Sequence, residues 1–265
     1  MFLSDPTIAL NPSPFFWVVA ASAVLFVAIA KSGFGGTIGS LSAPIMLMVL
    51  PPFETLAVLL PLYLLTDCWT VWIWRGYCRW RLLFWMVLFS VIGQGLGYLL
   101  IDAIDESLLT VLIGAMAFFT GGRYWYRWKF PVSHQLNRQD IRAIRRRAAP
   151  RASLWCSLSG FSSFVSLTGG IPLQVFLLPM RLHRYIMVGT SAWYFLSINT
   201  MKVPLFFDLG MFNHRTLVMS LILMPIIPIG VMIGKWLNRR INDKIFYAVA
   251  HSALLLLGLK LILRL

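Results

Sequence analysis

Residues 14–46 read PFFWVVAASAVLFVAIAKSGFGGTIGSLSAPIM, which is an apolar run, a glycine-rich break and a second, shorter apolar run. As a helix, the first run, 14–31, approaches the roughly 30 Å thickness of a bilayer's hydrocarbon core. The second run, 38–50, would rise only about 20 Å. The pattern predicts a membrane helix, a break in the chain where glycine relaxes the backbone, and then a short helix.

The rest of the chain repeats this apolar character. Of its 265 residues, 59% are apolar and 12% are charged, against roughly 45–50% and about 25% in an average soluble domain. These values exclude a soluble globular protein and predict an all-α polytopic membrane protein. We expect ten segments, each within about three residues of 14–31, 38–50, 54–74, 82–101, 107–126, 152–167, 171–180, 185–206, 216–237 and 244–264.

A long polar stretch, 127–151, divides the chain into two halves. It carries eight Lys and Arg residues and one acidic residue, and it predicts a basic linker between a first membrane repeat, 1–126, and a second, 152–265. The halves resemble each other, because residues 93–121 align without a gap with 230–258. The aligned glycine pairs are Gly93 with Gly230, Gly97 with Gly234 and Gly121 with Gly258. We interpret this as an internal duplication.

Five segments in each repeat, an odd number, would turn the second repeat upside down, and the charges fit that arrangement. Eighteen Lys and Arg residues fall in loops that it places inside, against three at or near the outside. The net charge of +14 is therefore a sign of topology and not of nucleic-acid binding. We predict inverted repeats with both termini outside. The N-terminal segment has no basic residue before its apolar run, so we expect that run to be retained.

Two short segments, 38–50 and 171–180, follow glycine-rich breaks at matching places in the repeats, which is typical of a transporter binding site. Glycine lets backbone N–H groups converge on an anion, and Lys31 would add a full positive charge. The candidate substrate-binding residues here are Lys31, Ser32, Gly33, Gly35, Gly36, Thr37, Thr168, Gly169 and Gly170. The alternative is that Lys31 reaches the headgroups and the glycines only allow close packing. Whether the short segments span the membrane or re-enter it stays open.

Lys202 lies inside the apolar run 185–206, where a charge is costly unless it faces water or a partner. Asn199, three residues earlier, would share its helix face and offer amide donors to an oxyanion. Both are candidate substrate-binding residues, unless Lys202 reaches the outer interface. Asp67 is a candidate for coupling, and two roles compete for it: a carboxylate that carries a proton, or a partner that neutralises Lys31 or Lys202.

Signals for an enzyme are missing from the sequence. It contains no HExxH, GxSxG or P-loop motif, and its four histidines are dispersed. Its three cysteines have no zinc-like spacing, so we interpret them as free thiols. We therefore expect no catalytic residue, no metal and no cofactor.

Several segments together resemble the sulfite exporter TauE/SafE family, also called the 4-toluene sulfonate uptake permease family. They are AKSGFGGTIGSLSAPIM (30–46), SLTGGIPLQ (166–174), Val188-Gly189-Thr190-Ser191, Asn199-x-x-Lys202 and Gly230-xxx-Gly234. The resemblance implies a carrier in the bacterial inner membrane that moves small sulfur-containing or organic anions, such as sulfite or sulfoacetate. This chain departs from the commoner pattern by having Thr37 in place of a third consecutive glycine.

We therefore expect a secondary transporter of a small anion that works by alternating access, with the bilayer and the anion as its partners. One alternative is an anion channel that uses the same positive site. Another is a membrane scaffold that docks through the linker. The anion, the direction of transport, proton coupling and assembly as a homodimer stay open.

Overall fold

The computed structural model describes residues 13–36, 39, 42–100, 115, 118–119, 121–122, 124–126 and 148–263. In this part of the chain the regular structure is helical, without strands. The α-helices that lie within it are α1 (Pro14–Phe34), α2 (Ser42–Met46), α3 (Pro52–Trp74), α4 (Trp80–Leu99), α5 (Ala148–Ser166), α6 (Gly170–Leu177), α7 (Arg184–Asp208), α8 (His214–Leu223), α9 (Ile226–Arg240) and α10 (Asp243–Leu263).

Among the described residues, three helices are long and apolar enough to cross a membrane: α1, α3 and α4. The pair α8 and α9 would make a fourth span, bent by 47° between the two helices. Hydropathy predicts one continuous segment, 216–237, whereas in the structure this range is divided between α8 and α9. Pro225 lies at the break, and proline has no N–H with which to continue the hydrogen bonding of a helix.

Helix α7 has 25 residues, more than a membrane crossing needs. Its mean hydropathy is lowered by polar side chains, which are nevertheless buried against other helices. These include Thr190, Ser191, Asn199 and Lys202. Polar residues inside a membrane protein usually face the interior of the helix bundle, and α7 follows that rule.

Pairs of helices from the two halves of the chain form the core. Helix α1 packs along α9, α4 packs along α5, and α3 crosses α7. Many large apolar side chains remain exposed on the outer faces of these helices, as expected of a surface in contact with lipid. Among them are Phe15, Trp72, Phe84, Leu221, Ile229 and Leu256.

The short segments are short helices in the structure. Within 38–50, helix α2 covers Ser42–Met46, and within 171–180, α6 is followed by a 3-10 turn, Leu178–Met180. Helix α5 begins at Ala148, so the last four residues of the predicted linker are helical. The remainder of that linker, 127–147, most of the predicted segment 107–126, and Thr37 lie outside the described residues.

Candidate functional site

Lys31 lies in the last turn of α1. The helix ends at Phe34 because Gly35 adopts the left-handed conformation, with φ of +72°, and its N–H turns back to the carbonyl of Ala30. The side chain of Lys31 is only 5% exposed. A buried cation needs a partner, although the nearby C-terminal end of a helix is a favourable place for positive charge.

Asp67, on α3, is that partner. The ammonium of Lys31 donates to both oxygens of the carboxylate, at 2.8 and 2.9 Å. The side-chain amide of Asn199, on α7, donates to Oδ2 at 2.6 Å. All three side chains are buried. One carboxylate therefore ties together α1, α3 and α7, two helices from the first half of the chain and one from the second.

Two aromatic rings flank Lys31. The ring centroid of Tyr63 lies 4.2 Å from its Nζ and that of Phe195 lies 5.0 Å away, both within the range of cation–π attraction. Tyr63 precedes Asp67 by one helical turn, and Phe195 precedes Asn199 in the same way. Residues four apart share a helix face, so each helix presents a ring and a polar group to the same place.

A small, partly enclosed cavity of about 10 Å³ lies beside these groups. It has room for roughly one water molecule, so an oxyanion would enter only after side chains or helices move. Both halves of the chain line it, with Lys31, Gly36, Gly39 and Tyr63 from the first and Ser163, Leu167, Gly170, Phe195 and Asn199 from the second.

Lys202 does not line the cavity, but it is hydrogen-bonded to Ser163, which does. Its ammonium donates to the carbonyl of Ser163 at 3.0 Å and to the hydroxyl of the same residue at 2.8 Å. Both acceptors are neutral, and the side chain is fully buried. Lys202 is therefore hydrogen-bonded to neutral oxygens, whereas Lys31 is paired with a carboxylate.

The end of α1 is held by side chains from three other helices. The last carbonyls of a helix have no partner within the helix, and here α3, α6 and α9 supply donors to three of them. The pairs are Trp74 to the carbonyl of Ser32 at 3.1 Å, Asn238 to that of Gly33 at 2.6 Å and Gln174 to that of Gly35 at 2.9 Å. The Gln174 bond joins the break after α1 directly to α6, the short helix of the second half.

The backbone at the first break differs from the predicted cluster of free N–H groups. The N–H groups of Gly35 and Gly36 both turn back to the carbonyl of Ala30, which closes the end of α1. They are therefore not available to an anion in this conformation. Among the described residues, the hydrogen-bond donors at the cavity are side chains instead, chiefly the ammonium of Lys31 and the amide of Asn199.

The second break, between α5 and α6, is also closely packed. Leu167 has a positive φ of 56°, which turns the chain sharply. The carbonyl of Gly169 accepts a hydrogen bond from Ser159 at 2.6 Å, and a Cβ on this glycine would overlap α5 at Ser163. Glycine therefore lets this break approach α5, and Gly170 then opens α6 at the cavity wall.

Comparison with known protein families matches residues 20–261, nearly the whole chain, to the family described as Sulfite exporter TauE/SafE. The chain belongs to the TauE/SafE family. Members of this family are membrane transporters and not enzymes. The cavity between the two halves is thus a candidate substrate site of a TauE/SafE transporter. No curated protein and no solved structure matches the chain.

The structure brings together part of the predicted site of this TauE/SafE protein. Lys31, Gly36, Gly170 and Asn199 line the cavity, and Asp67 contacts two of them. The other predicted site residues in the described part of the chain do not line the cavity. They are Ser32, Gly33, Gly35, Thr168, Gly169 and Lys202. The hydroxyl of Ser32, for example, donates to the carbonyl of Ala28 in its own helix.

Sequence reasoning missed Tyr63, Phe195, Ser163 and Gln174. The two rings could have been found from their spacing, because each lies one helical turn before a predicted polar residue. Ser163 and Gln174 have no such signal, since a lone polar residue in a membrane helix commonly bonds to backbone. In the described ranges, no three His, Cys, Asp or Glu side chains are grouped as they would be to bind a metal ion.

Proposed function

We propose that this TauE/SafE protein is a secondary transporter of a small sulfur-containing oxyanion or organosulfonate, such as sulfite or sulfoacetate, and that it works by alternating access. The observation that carries the proposal is a buried cation, Lys31, beside a small cavity that both halves of the chain line. A buried ionisable residue in a membrane protein marks a substrate or ion pathway. A site between two halves is suited to opening on either side in turn.

The chemistry of the site suits an oxyanion. Lys31 supplies a positive charge and Asn199 an amide donor; Lys31 already donates to both oxygens of the Asp67 carboxylate, and Asn199 to one of them. Charge-assisted hydrogen bonds of this kind are stronger than neutral ones, by roughly a factor of two. Lys202 is a second basic group nearby. The small size of the cavity supports a carrier over an anion channel, because a channel needs a continuous path that is wide enough for the anion.

Helix packing supports the arrangement as two inverted repeats, 1–126 and 152–265, joined by the linker 127–151. A shift of 132 residues, which relates Asp67 to Asn199, also relates Tyr63 to Phe195, and each pair meets at the site. The shift relates α1 to α5 and α3 to α7. The packing follows the same symmetry, since α1 packs on α9, α5 packs on α4, and α3 crosses α7.

We further propose that the protein lies in a bacterial inner membrane with the linker 127–151 in the cytoplasm and both termini outside. The distribution of Lys and Arg between the predicted loops supports this orientation.

Flux measurements in proteoliposomes test the function. Wild-type protein should move sulfite or sulfoacetate with saturable kinetics, in preference to chloride and a carboxylate without sulfur. Lys31→Ala should lower the rate about 10- to 100-fold, since a hydrogen bond from a charged group contributes roughly 1.5–3 kcal/mol. Lys202→Ala should also slow transport, through loss of positive charge behind the cavity.

Lys244→Ala is the matched control, because Lys244 is exposed near the start of α10. It should transport as the wild type does. Full sulfite flux in Lys31→Ala would contradict the proposed site. Failure of the wild-type protein to move any of these anions would contradict the proposed function.

A further inference from the structure

The carboxylate of Asp67 occupies the groups that the proposed function assigns to substrate. Its two oxygens take two hydrogen bonds from Lys31 and one from Asn199, at 2.6 to 2.9 Å. A sulfite or sulfonate group would present the same pattern, negative oxygens held about one carboxylate width apart. Asp67 is thus bound in the manner expected of the transported anion.

The site has too little space for the Asp67 carboxylate and a substrate anion to bind Lys31 at the same time. The cavity beside Lys31 has room for roughly one water molecule, which is less than an oxyanion of sulfur needs, so substrate reaches Lys31 only when Asp67 leaves it. Lys202 interacts electrostatically with Asp67, and among the described residues its hydrogen-bond acceptors are the neutral oxygens of Ser163. It is the second basic group toward which a displaced carboxylate can turn.

The return of the carrier without substrate is unfavourable if Lys31 then has no counter-ion. During reorientation the site closes to water on both sides, and an unpaired ammonium buried there would be strongly disfavoured. Pairing with Asp67 lowers that barrier, because the carboxylate compensates the charge and accepts two hydrogen bonds from the ammonium.

We infer that Asp67 is an internal counter-anion, which replaces the substrate on Lys31 and Asn199 while the unloaded carrier returns across the membrane. The inference rests on the proposed function and deepens it. With an internal counter-anion the protein carries out net transport. Without one, the carrier returns only with another substrate anion bound, and it becomes an obligatory exchanger.

The test compares net efflux with exchange in proteoliposomes loaded with radiolabelled sulfite, with or without unlabelled sulfite outside. In Asp67→Asn, the ratio of net efflux to exchange should fall at least tenfold below that of the wild type. The double variant Asp67→Asn/Asn199→Asp moves the carboxylate to its hydrogen-bond partner on α7. It should restore the ratio to within about threefold of the wild-type value.

Asp243→Asn is the matched control. It removes a carboxylate that also pairs with a cation at 2.9 Å, that of Arg184, but is 46% exposed. Its ratio should stay at the wild-type value, which shows that loss of a carboxylate as such does not convert a carrier into an exchanger.

Each outcome has a definite meaning. A wild-type ratio in Asp67→Asn overturns the inference and leaves the proposed function standing. If Asp67→Asn loses both activities, the double variant decides: recovery of net efflux supports the internal counter-anion, and no recovery overturns it. A wild-type protein that moves no sulfite and no other sulfur oxyanion overturns the proposed function and the inference together.

Discussion

Gly36 shows how closely the backbone approaches the site from one side. Its φ is +96°, a conformation that residues with a side chain rarely adopt. A Cβ at this position would lie 2.6 Å from Cε2 of Phe195, the ring that also faces the ammonium of Lys31. The glycine therefore brings the end of α1 against α7 and sets the width of the cavity.

We expect Gly36→Ala to destabilise the protein and to slow transport. Backbone strain of this kind costs about 1–3 kcal/mol, and the methyl group would also push Phe195 toward Lys31. Thermal unfolding in detergent should show a fall of several degrees, and sulfite flux should fall at least tenfold. Gly76→Ala is the control, because a Cβ on Gly76 meets nothing within 4 Å. Equal stability and flux in the two variants would contradict the prediction.

At the scale of helices, small residues bring the two halves of the chain into contact. A Cβ on Gly93 of α4 would overlap the carbonyl oxygen of Ser157 on α5, and one on Gly230 of α9 would lie 2.6 Å from the Cβ of Ala28 on α1. Sequence alignment pairs these two glycines, and each lies where the helices of its pair come closest. Close backbone packing is a main source of helix association in membranes.

We predict that Gly93→Ala and Gly230→Ala each lower stability by about 1–3 kcal/mol, the typical cost of overpacking a tight contact. Gly95→Ala provides the matched control on α4, since its Cβ would meet no atom within 4 Å. The midpoint of thermal unfolding measures the effect. Equal unfolding temperatures for Gly93→Ala and Gly95→Ala would contradict the prediction that close packing of α4 on α5 stabilises the protein.

At the scale of the whole molecule, the site exists only because the two halves meet. Asp67 and Asn199 are 132 residues apart in the chain, and Gln174 and Gly35 are 139 apart, yet each pair is hydrogen-bonded. Neither half alone contains the cavity, whose wall comes from both. Inverted orientation of the halves would let the same contacts open on opposite sides of the membrane in turn.

Cysteine labelling tests this orientation. The loop after α3 and the loop after α7 hold equivalent places in the two repeats, and the inverted arrangement predicts opposite sides of the membrane for them. With Cys68, Cys78 and Cys156 changed to alanine, the exposed positions are probed by Gly76→Cys and Leu209→Cys. An impermeant maleimide should label Leu209→Cys in intact cells and Gly76→Cys only after permeabilisation. Labelling of both in intact cells would contradict inverted repeats.

Sequence alone could predict the polar residues of the site better than their partners. Lys31, Asn199 and Lys202 are conspicuous because polar side chains in apolar runs are costly. Tyr63 and Phe195 carry only a weak signal, their place one helical turn before Asp67 and Asn199, and Ser163 carries none. The break at Pro225 divides a run that hydropathy treats as continuous, because hydropathy does not register the loss of a backbone donor.

Composition and the order of motifs by themselves determined that this is a helical membrane protein of the TauE/SafE family, because hydropathy and glycine spacing are local properties of the chain. Only the tertiary structure decided that Lys31 pairs with Asp67, that Asn199 shares that carboxylate, and that Lys202 bonds to Ser163. The physical reason is that a buried charge takes its partner from whichever helix packs beside it. That neighbour depends on how distant segments assemble.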